Sequence, residues 1–191
     1  MELLRKKLLS YCYLSDDELD QLMGSFVKVN LQPGERLFSE GDVVKSLYFI
    51  LSGVLVYTSV VDGETSIIEF YSDGEMHTDF YSYSKEKPTV CSAQSEKATL
   101  VMAVSKEKLE MLYDSSMSFQ RFGRKLAENY LLHILRRNYE KQIFSNEERY
   151  RRFLDKRYKL SQRVPQYKIA SYLNITPVGL SKIRKRMFNK R

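Results

Sequence analysis

The sequence predicts an α+β chain with a strand-rich N-terminal region, one long helix, and a group of short helices at the C-terminus. Three observations predict it. Six β-prone segments separated by turn residues lie between Phe26 and Val104, a proline-free helical pattern runs from about Ser118 to Phe144, and capped or proline-started helices follow. The charge divides near the same place: residues 1 to 115 carry 11 Lys+Arg against 19 Asp+Glu, a net −8, whereas residues 116 to 191 carry 20 against 5, a net +15. A compact basic segment is the electrostatic footprint of a polyanion binder, although a solvated basic surface has the same composition.

At 191 residues the chain suits one large domain or two small ones. It has no apolar run of about 18 residues, and its start, MELLRKKLLSYCYLSDDELD, soon turns acidic, so neither a membrane span nor a signal peptide is expected and the cytoplasm is the expected location. Cys12 and Cys91 have no paired spacing, and His77 and His133 form no zinc pattern. No disulfide framework, metal or cofactor is expected. An enzyme is not expected either, because no nucleophile with an adjacent base, no metal-ligand set and no phosphate loop is found.

Each element has its own signal. Ser15-Asp16-Asp17-Glu18 is a capping box followed by Leu19 and Leu22 on one face, so the chain opens with short helices. The segments FVKVNLQ, SLYFILSG, VLVYTSVV, TSIIEFYS, TVCSAQ and ATLVMAV alternate with Pro33-Gly34, Gly41-Asp42, Gly53, Asp62-Gly63 and Asp73-Gly74, the pattern of a barrel or sandwich. Asp62-Gly63 predicts a two-residue hairpin turn, because both residue types tolerate positive φ. Ser105 predicts the cap of a helix KEKLEMLY. In the long helix, Phe119, Phe122, Leu126, Leu131, Leu132, Ile134, Leu135, Tyr139 and Ile143 cover more than one face and change phase midway. One face suits the β region and another a partner chain, with Phe119, Phe122, Leu126, Leu132 and Leu135 expected at a dimer interface; a structural helix within a monomer is the alternative. Ser145-Asn146-Glu147-Glu148 is a second capping box, and Pro165 and Thr176-Pro177 start two further helices. The expected domains are a sensor over 1–115, a dimerisation helix over 116–144, and a DNA-binding domain over 145–191.

Residues 31–64, LQPGERLFSEGDVVKSLYFILSGVLVYTSVVDGE, resemble the cyclic-nucleotide-binding barrel of the Crp/Fnr family of bacterial transcription regulators, with Pro33-Gly34, Gly41-Asp42, Leu47-Tyr48-Phe49-Ile50 and Ser52-Gly53 in the family's order. The resemblance implies a double-stranded β-helix, a jelly-roll-like barrel. Nucleotide-binding members place a Gly-Glu-(Leu/Ile) block ahead of Arg-(Ser/Thr)-Ala, the Glu taking the ribose hydroxyl and the Arg clamping the cyclic phosphate. Here GEMHTDFYSYSKEKPTVCSAQ puts Asp79 near the Glu position, Pro88 at the Arg position and Thr89 at the Ser/Thr position. Lys87 offers a point charge that does not match two phosphate oxygens bidentately. Cyclic AMP and cyclic GMP are therefore not expected to bind. The pocket is expected to take an unidentified small-molecule effector or none, with Thr78, Asp79, Tyr81, Lys87, Thr89 and His133 as candidate residues. The cysteine cluster of oxygen-sensing members is absent, and His133 reads as a packed or solvated histidine rather than a haem ligand.

Residues 164–186, VPQYKIASYLNITPVGLSKIRKR, resemble the same family's helix-turn-helix. Ile169, Ala170, Leu173, Ile175, Leu180 and Ile183 have the spacing of two short packed helices, and Asn174 stands where a left-handed residue is tolerated. Leu180, Ile183 and Met187 share one face of the final helix, which leaves Val178, Ser181, Lys182 and Lys185 outward for the major groove. Gln166, Tyr167, Thr176, Arg184 and Arg186 are placed for phosphates or flanking contacts. A small helical subdomain with a charged face is the alternative. Guanine-reading members often carry Arg, Glu and Arg across this helix, where this chain has Pro177, Val178 and Lys182, so the operator is not legible. The short stretch RYKLSQRVP before the motif leaves little chain for the family's winged hairpin, so the sequence leaves open a full, a reduced or an absent wing.

Together the resemblances imply a homodimeric, sequence-specific DNA-binding transcription regulator, with double-stranded DNA and RNA polymerase as partners and no membrane association. A ligand sensor whose basic tail docks an acidic protein is the rival reading.

Overall fold

The computed structural model describes residues 1–189 apart from the Phe188 side chain, so the last two residues of the expected C-terminal domain lie outside the described residues. Helices α1 (Glu2–Leu9) and α2 (Asp16–Gly24) lead into strands β1 (Val27–Leu31), β2 (Arg36–Phe38), β3 (Ser46–Ser52), β4 (Val54–Val61), β5 (Glu64–Ser72) and β6 (Met76–His77). A short helix α3 (Phe80–Lys85) precedes β7 (Cys91–Ser95) and β8 (Thr99–Ser105). Helices α4 (Lys106–Ser115), α5 (Met117–Ile143), α6 (Asn146–Ser161), α7 (Gln166–Tyr172) and α8 (Pro177–Asn189) complete the described chain.

Local chemistry places these elements. Both capping boxes form: the Ser15 amide donates to Glu18 Oε2 at 2.9 Å, and the Ser145 amide donates to Glu148 Oε2 at 2.9 Å. Ser105 caps α4 by accepting from the Lys108 amide at 3.2 Å. Asp62 and Gly63 adopt φ of 52° and 78°, the positive pair that closes the β4–β5 hairpin with Val61 opposite Glu64. Gly53 has φ of 113°, and a Cβ there would lie 2.6 Å from Thr99 Cα, so both conformation and space require glycine.

The strands form two antiparallel sheets, ordered β1-β8-β3-β6 and β2-β7-β4-β5, in an open sandwich rather than the closed barrel expected from the sequence. Two outer strands are too short to close it, β2 having 3 residues and β6 having 2. At the outer strand β5 the C-terminal helices take the place of a further strand: the Ile67 amide donates to Ser171 Oγ at 3.1 Å and Arg157 donates to the Phe70 carbonyl at 2.8 Å.

Two apolar cores result. One joins Leu4, Leu8, Leu19 and Leu22 to Phe49, Val104, Leu109, Leu112, Phe119 and Phe122. The other joins Val54, Val56, Ile67 and Phe70 of the sandwich to Tyr150, Phe153, Leu160, Ile169, Leu173, Leu180 and Ile183, so the C-terminal helices share a core with the strands. The expectation that Phe119 and Phe122 face a partner chain is corrected here. Both are enclosed by their own chain, Phe122 meeting the Tyr11 ring edge-on at 5.5 Å. Leu126 packs against the same core, whereas Leu132 and Leu135 are exposed.

Helix α6 bends at Arg157, whose φ of −133° and ψ of 36° interrupt the helix, and the stretch RYKLS continues it. No strand follows β8 among the described residues. Among these residues no helix is long and apolar enough to cross a membrane, and no group of His, Cys, Asp and Glu side chains is placed to hold a metal ion.

Candidate effector site and nucleic-acid interface

Aromatic rings fill the interior of the sandwich beside α3. His77 stacks on Tyr71 at 4.0 Å and is flanked by Tyr57 at 4.8 Å and Phe38 at 5.7 Å. Burial holds its imidazole down at about 3, so it is neutral at physiological pH, and neither ring nitrogen has a partner among the described residues. Asp79 is buried beside it. Its carboxylate caps α3 through the Ser82 amide at 2.9 Å and accepts from the Tyr57 hydroxyl at 2.9 Å and from the Thr89 hydroxyl.

An open cavity of about 460 Å³ lies on the other side of these rings, between the sandwich and α5. Tyr71, His77 and Thr78 form its inner wall, Phe80 and Tyr130 stack at 5.0 Å along another, and Lys7 of α1 and Tyr11, just beyond that helix, also line it. Its lining surface is mostly apolar, with the charged side chains of Lys7, Glu75, Glu110 and Arg124 set around it, a make-up in keeping with a small-molecule site. His133 and Arg157 complete the wall nearest the C-terminal helices.

Those two residues also hold Glu69, a carboxylate that is 1% exposed. Its Oε2 lies 3.0 Å from His133 Nε2 and 3.6 Å from Arg137, and its Oε1 accepts from Arg157 at 2.9 Å. The second nitrogen of the Arg157 fork reaches Glu75 at 2.9 Å. Burial alone would push the Glu69 carboxyl up; the His133 hydrogen bond and the charges of Arg157 and Arg137 outweigh it and hold the group at about 2. A β-bulge positions Glu69: Tyr57 pairs with Glu69 but Thr58 with Ile67, leaving Ile68 as an extra residue. Strand β5, helix α5 and the bend of α6 therefore meet at one carboxylate. Arg163 to Asp73 at 2.7 Å and Lys168 to Glu96 add two further ties between the C-terminal helices and the sandwich.

Residues 28–116 match the cyclic nucleotide-binding domain. A search of curated protein sequences finds no match. Solved structures do: FixK2 from Bradyrhizobium japonicum has a TM-score of 0.74 at 16% identity, covering 86% of this chain and 85% of that one. CLP, a c-di-GMP responsive global regulator of Xanthomonas campestris, has a TM-score of 0.67 at 15% identity over 91% and 92% of the two chains. The Thermus thermophilus catabolite activator protein has a TM-score of 0.60 at 18% identity over 96% and 87%. At such identities the likeness establishes the fold.

The sequence-predicted effector residues separate in the structure. Thr78 and His133 line the cavity, Thr78 donating to the Ser46 carbonyl at 2.9 Å. Asp79 and Thr89 are bonded to each other in the ring-filled interior, and Tyr81 and Lys87 are exposed outside the cavity. Sequence reasoning missed Glu69, Arg137 and Arg157. The one available signal was an acid inside the apolar run IIEFY, because a buried carboxylate requires cationic partners.

Helices α7 and α8 meet at a turn in which Asn174 has φ of 55° and Thr176 Oγ1 accepts from the Gly179 amide at 3.0 Å. Leu180 and Ile183 point into the shared core, while Val178 is 65% exposed and Ser181, Lys182 and Lys185 lie exposed with it. Tyr167 and Thr176 are exposed, and Gln166 is half-buried. Arg184 is half-buried beside the Tyr150 hydroxyl, and Arg186 lies 3.9 Å from Glu147.

Proposed function

We propose that this chain is a sequence-specific DNA-binding transcription regulator of the Crp/Fnr type, dimeric along α5, reading DNA with α8 and signalled by a ligand other than a cyclic nucleotide. The observation that carries the reading is the two-sided α8: Leu180 and Ile183 anchor it, and Val178, Ser181, Lys182 and Lys185 stand free on the opposite face of the basic half of the chain. The likeness to FixK2, CLP and the catabolite activator protein over most of each chain supports it. Pro88 at the position of a phosphate-clamping arginine, with rings filling the sandwich interior, disfavours a cyclic nucleotide there.

The effector site is the cavity between the sandwich and α5. An occupant would touch His133 and Arg157, the side chains that hold Glu69, and so act on the docking of the C-terminal helices. Signalling requires that the occupant favour one docking arrangement over another.

The test is selection of bound genomic fragments with the purified protein, followed by salt titration of Lys182→Ala and Lys185→Ala on the selected operator and on random DNA. Lys182→Ala is expected to cost about 1–3 kcal/mol on the operator and relax preference at one position per half-site. Lys185→Ala is expected to weaken every sequence alike and lower the salt slope by about one. Operator binding unchanged in both variants would remove α8 as the reading element and favour a protein partner for the basic half.

A further inference from the structure

A second concave site lies between the long helix and the C-terminal helices. Arg137 and Lys141 of α5 and Arg149, Arg152, Lys156 and Arg157 of α6 line a cleft of about 70 Å³, with Tyr172 and Leu173 at the end of α7 as its floor. A single carboxylate, Glu140, lines it, and Lys156 at 2.7 Å and Arg136 at 3.3 Å already engage it. Arg157 is likewise engaged by Glu69 and Glu75. Arg152 lies over the Phe144 ring at 3.6 Å, and Arg149, one of whose terminal nitrogens donates to Asn146 Oδ1, has a buried Nε with no partner among the described residues. Burial and the neighbouring charges of Arg137 and Arg149 push the Lys141 ammonium down from its ordinary range. Like charges brought together out of full solvation call for a counter-charge.

We propose that this cleft binds the phosphoryl group of a small phosphorylated molecule, between the guanidinium forks of Arg149 and Arg152 with Lys141 as a point charge. Planar guanidinium donors match two phosphate oxygens at once, and the cleft volume suits one phosphoryl group with the rest of the molecule outside. A free phosphate compound fits better than the backbone of a duplex. The cleft lies at the Tyr172 end of α7, whereas Gln166 and Tyr167 occupy its other end, about 9 Å away along the helix. The occupant would also compete with Glu69 for Arg137, which stands 3.6 Å from that carboxylate. The cleft would thereby connect a phosphate signal to the same contacts that dock the C-terminal helices. This inference stands independently of the effector cavity and of DNA reading by α8.

The experiment is calorimetric titration of the full chain with inorganic pyrophosphate, in parallel with a random-sequence duplex. Saturable binding of one pyrophosphate per chain is expected, and Arg152→Gln and Lys141→Gln should each weaken it roughly tenfold. Lys108→Gln, a change at an exposed residue of α4, should leave it unaltered. Arg152→Lys keeps the charge without the fork and should fall between, which preserves the test if Arg152→Gln unfolds in a melting control. Three results would overturn the proposal: no saturable pyrophosphate binding by the parent, an equal loss in Lys108→Gln, or a loss of duplex affinity in Arg152→Gln by the same factor as for pyrophosphate. The last would assign the cleft to DNA backbone.

Discussion

Both halves of α5 carry large apolar side chains, but they bury them differently. In the first half Phe119, Phe122 and Leu126 follow one another by helical steps along a single stripe and pack into the core built with α1, α2 and α4. The same stripe continues through Tyr130, His133 and Arg137, where it changes from apolar to polar as it passes the cavity and reaches Glu69. Meanwhile a second stripe begins: Leu132, Leu135, Tyr139 and Ile143 are all exposed in the single chain. The midway change of phase in the sequence is the transfer of apolar residues from the stripe that serves the chain's own fold to one that faces outward. A helix can serve two masters without a single heptad register, because each stripe need only be apolar where its neighbour is.

The comparison breaks most visibly at Phe122. Its side chain is fully enclosed, and Phe122→Ala is expected to cost about 3–5 kcal/mol by removing buried contacts and leaving a cavity. Urea denaturation should show a lowered midpoint. A midpoint equal to the parent's would mean that the first half of α5 is not part of the core.

The polar continuation of the stripe is sharpened by Glu69→Gln, which takes the carboxylate from Arg137 and His133 and leaves Arg157 with Glu75 alone. A loss of about 3 kcal/mol is expected, less than for Phe122→Ala if water reaches the freed arginines. The pH dependence distinguishes charge from packing. The folded carboxyl titrates at about 2 and an ordinary one at 4.5, so on acidification the unfolded chain binds the proton first. The stabilisation is complete above 4.5 and is lost as pH falls from there through about 2. His133, Arg137, Arg157 and Tyr172 face the carboxylate from α5, α6 and α7, and only the parent should lose this increment over that window. Identical acid profiles for the parent and Glu69→Gln would remove the charge argument.

Much of this architecture is legible in the residues, and the parts that are not share a cause. Capping boxes, the Asp62-Gly63 turn and the long helix are set by neighbours in sequence, and they form where local chemistry puts them. Closure of the strands depended on what would cover the β5 edge, and the residues that do so, Arg157 and Ser171, lie 87 and 104 positions away from their partners. Phe119 and Leu132 are indistinguishable as apolar letters on one helix; only the position of α1 and α2 decides which is enclosed. At the effector site the expected residues centred on the segment around Asp79, because pocket chemistry was sought beside the missing arginine. The aromatic residues Tyr57, Tyr71 and His77 come from β4, β5 and β6, and their filling of that space follows from the sheet pairing rather than from any local motif.

The smallest expected effect on folding, and the most direct test of the outward stripe, belongs to Leu132. Its side chain is 63% exposed, so Leu132→Ala deletes little that the single chain buries, and the melting temperature of dilute protein should stay close to the parent's. If the stripe closes on a second copy of α5, each protomer loses about 1–2 kcal/mol of apolar burial, and the dimer should dissociate roughly tenfold or more readily. Sedimentation over a concentration series measures this directly, with Phe122→Ala as the contrasting variant, whose fold should weaken before its assembly does. A parent that stays monomeric at tens of micromolar, or a Leu132→Ala variant that dimerises as tightly as the parent, would make the second half of α5 a solvent-facing helix. The proposed dimer reading DNA with two α8 helices would then have no scaffold. Weakened dimerisation with an unchanged monomer would place the two functions of α5 on its two stripes, separable by single substitutions on one helix.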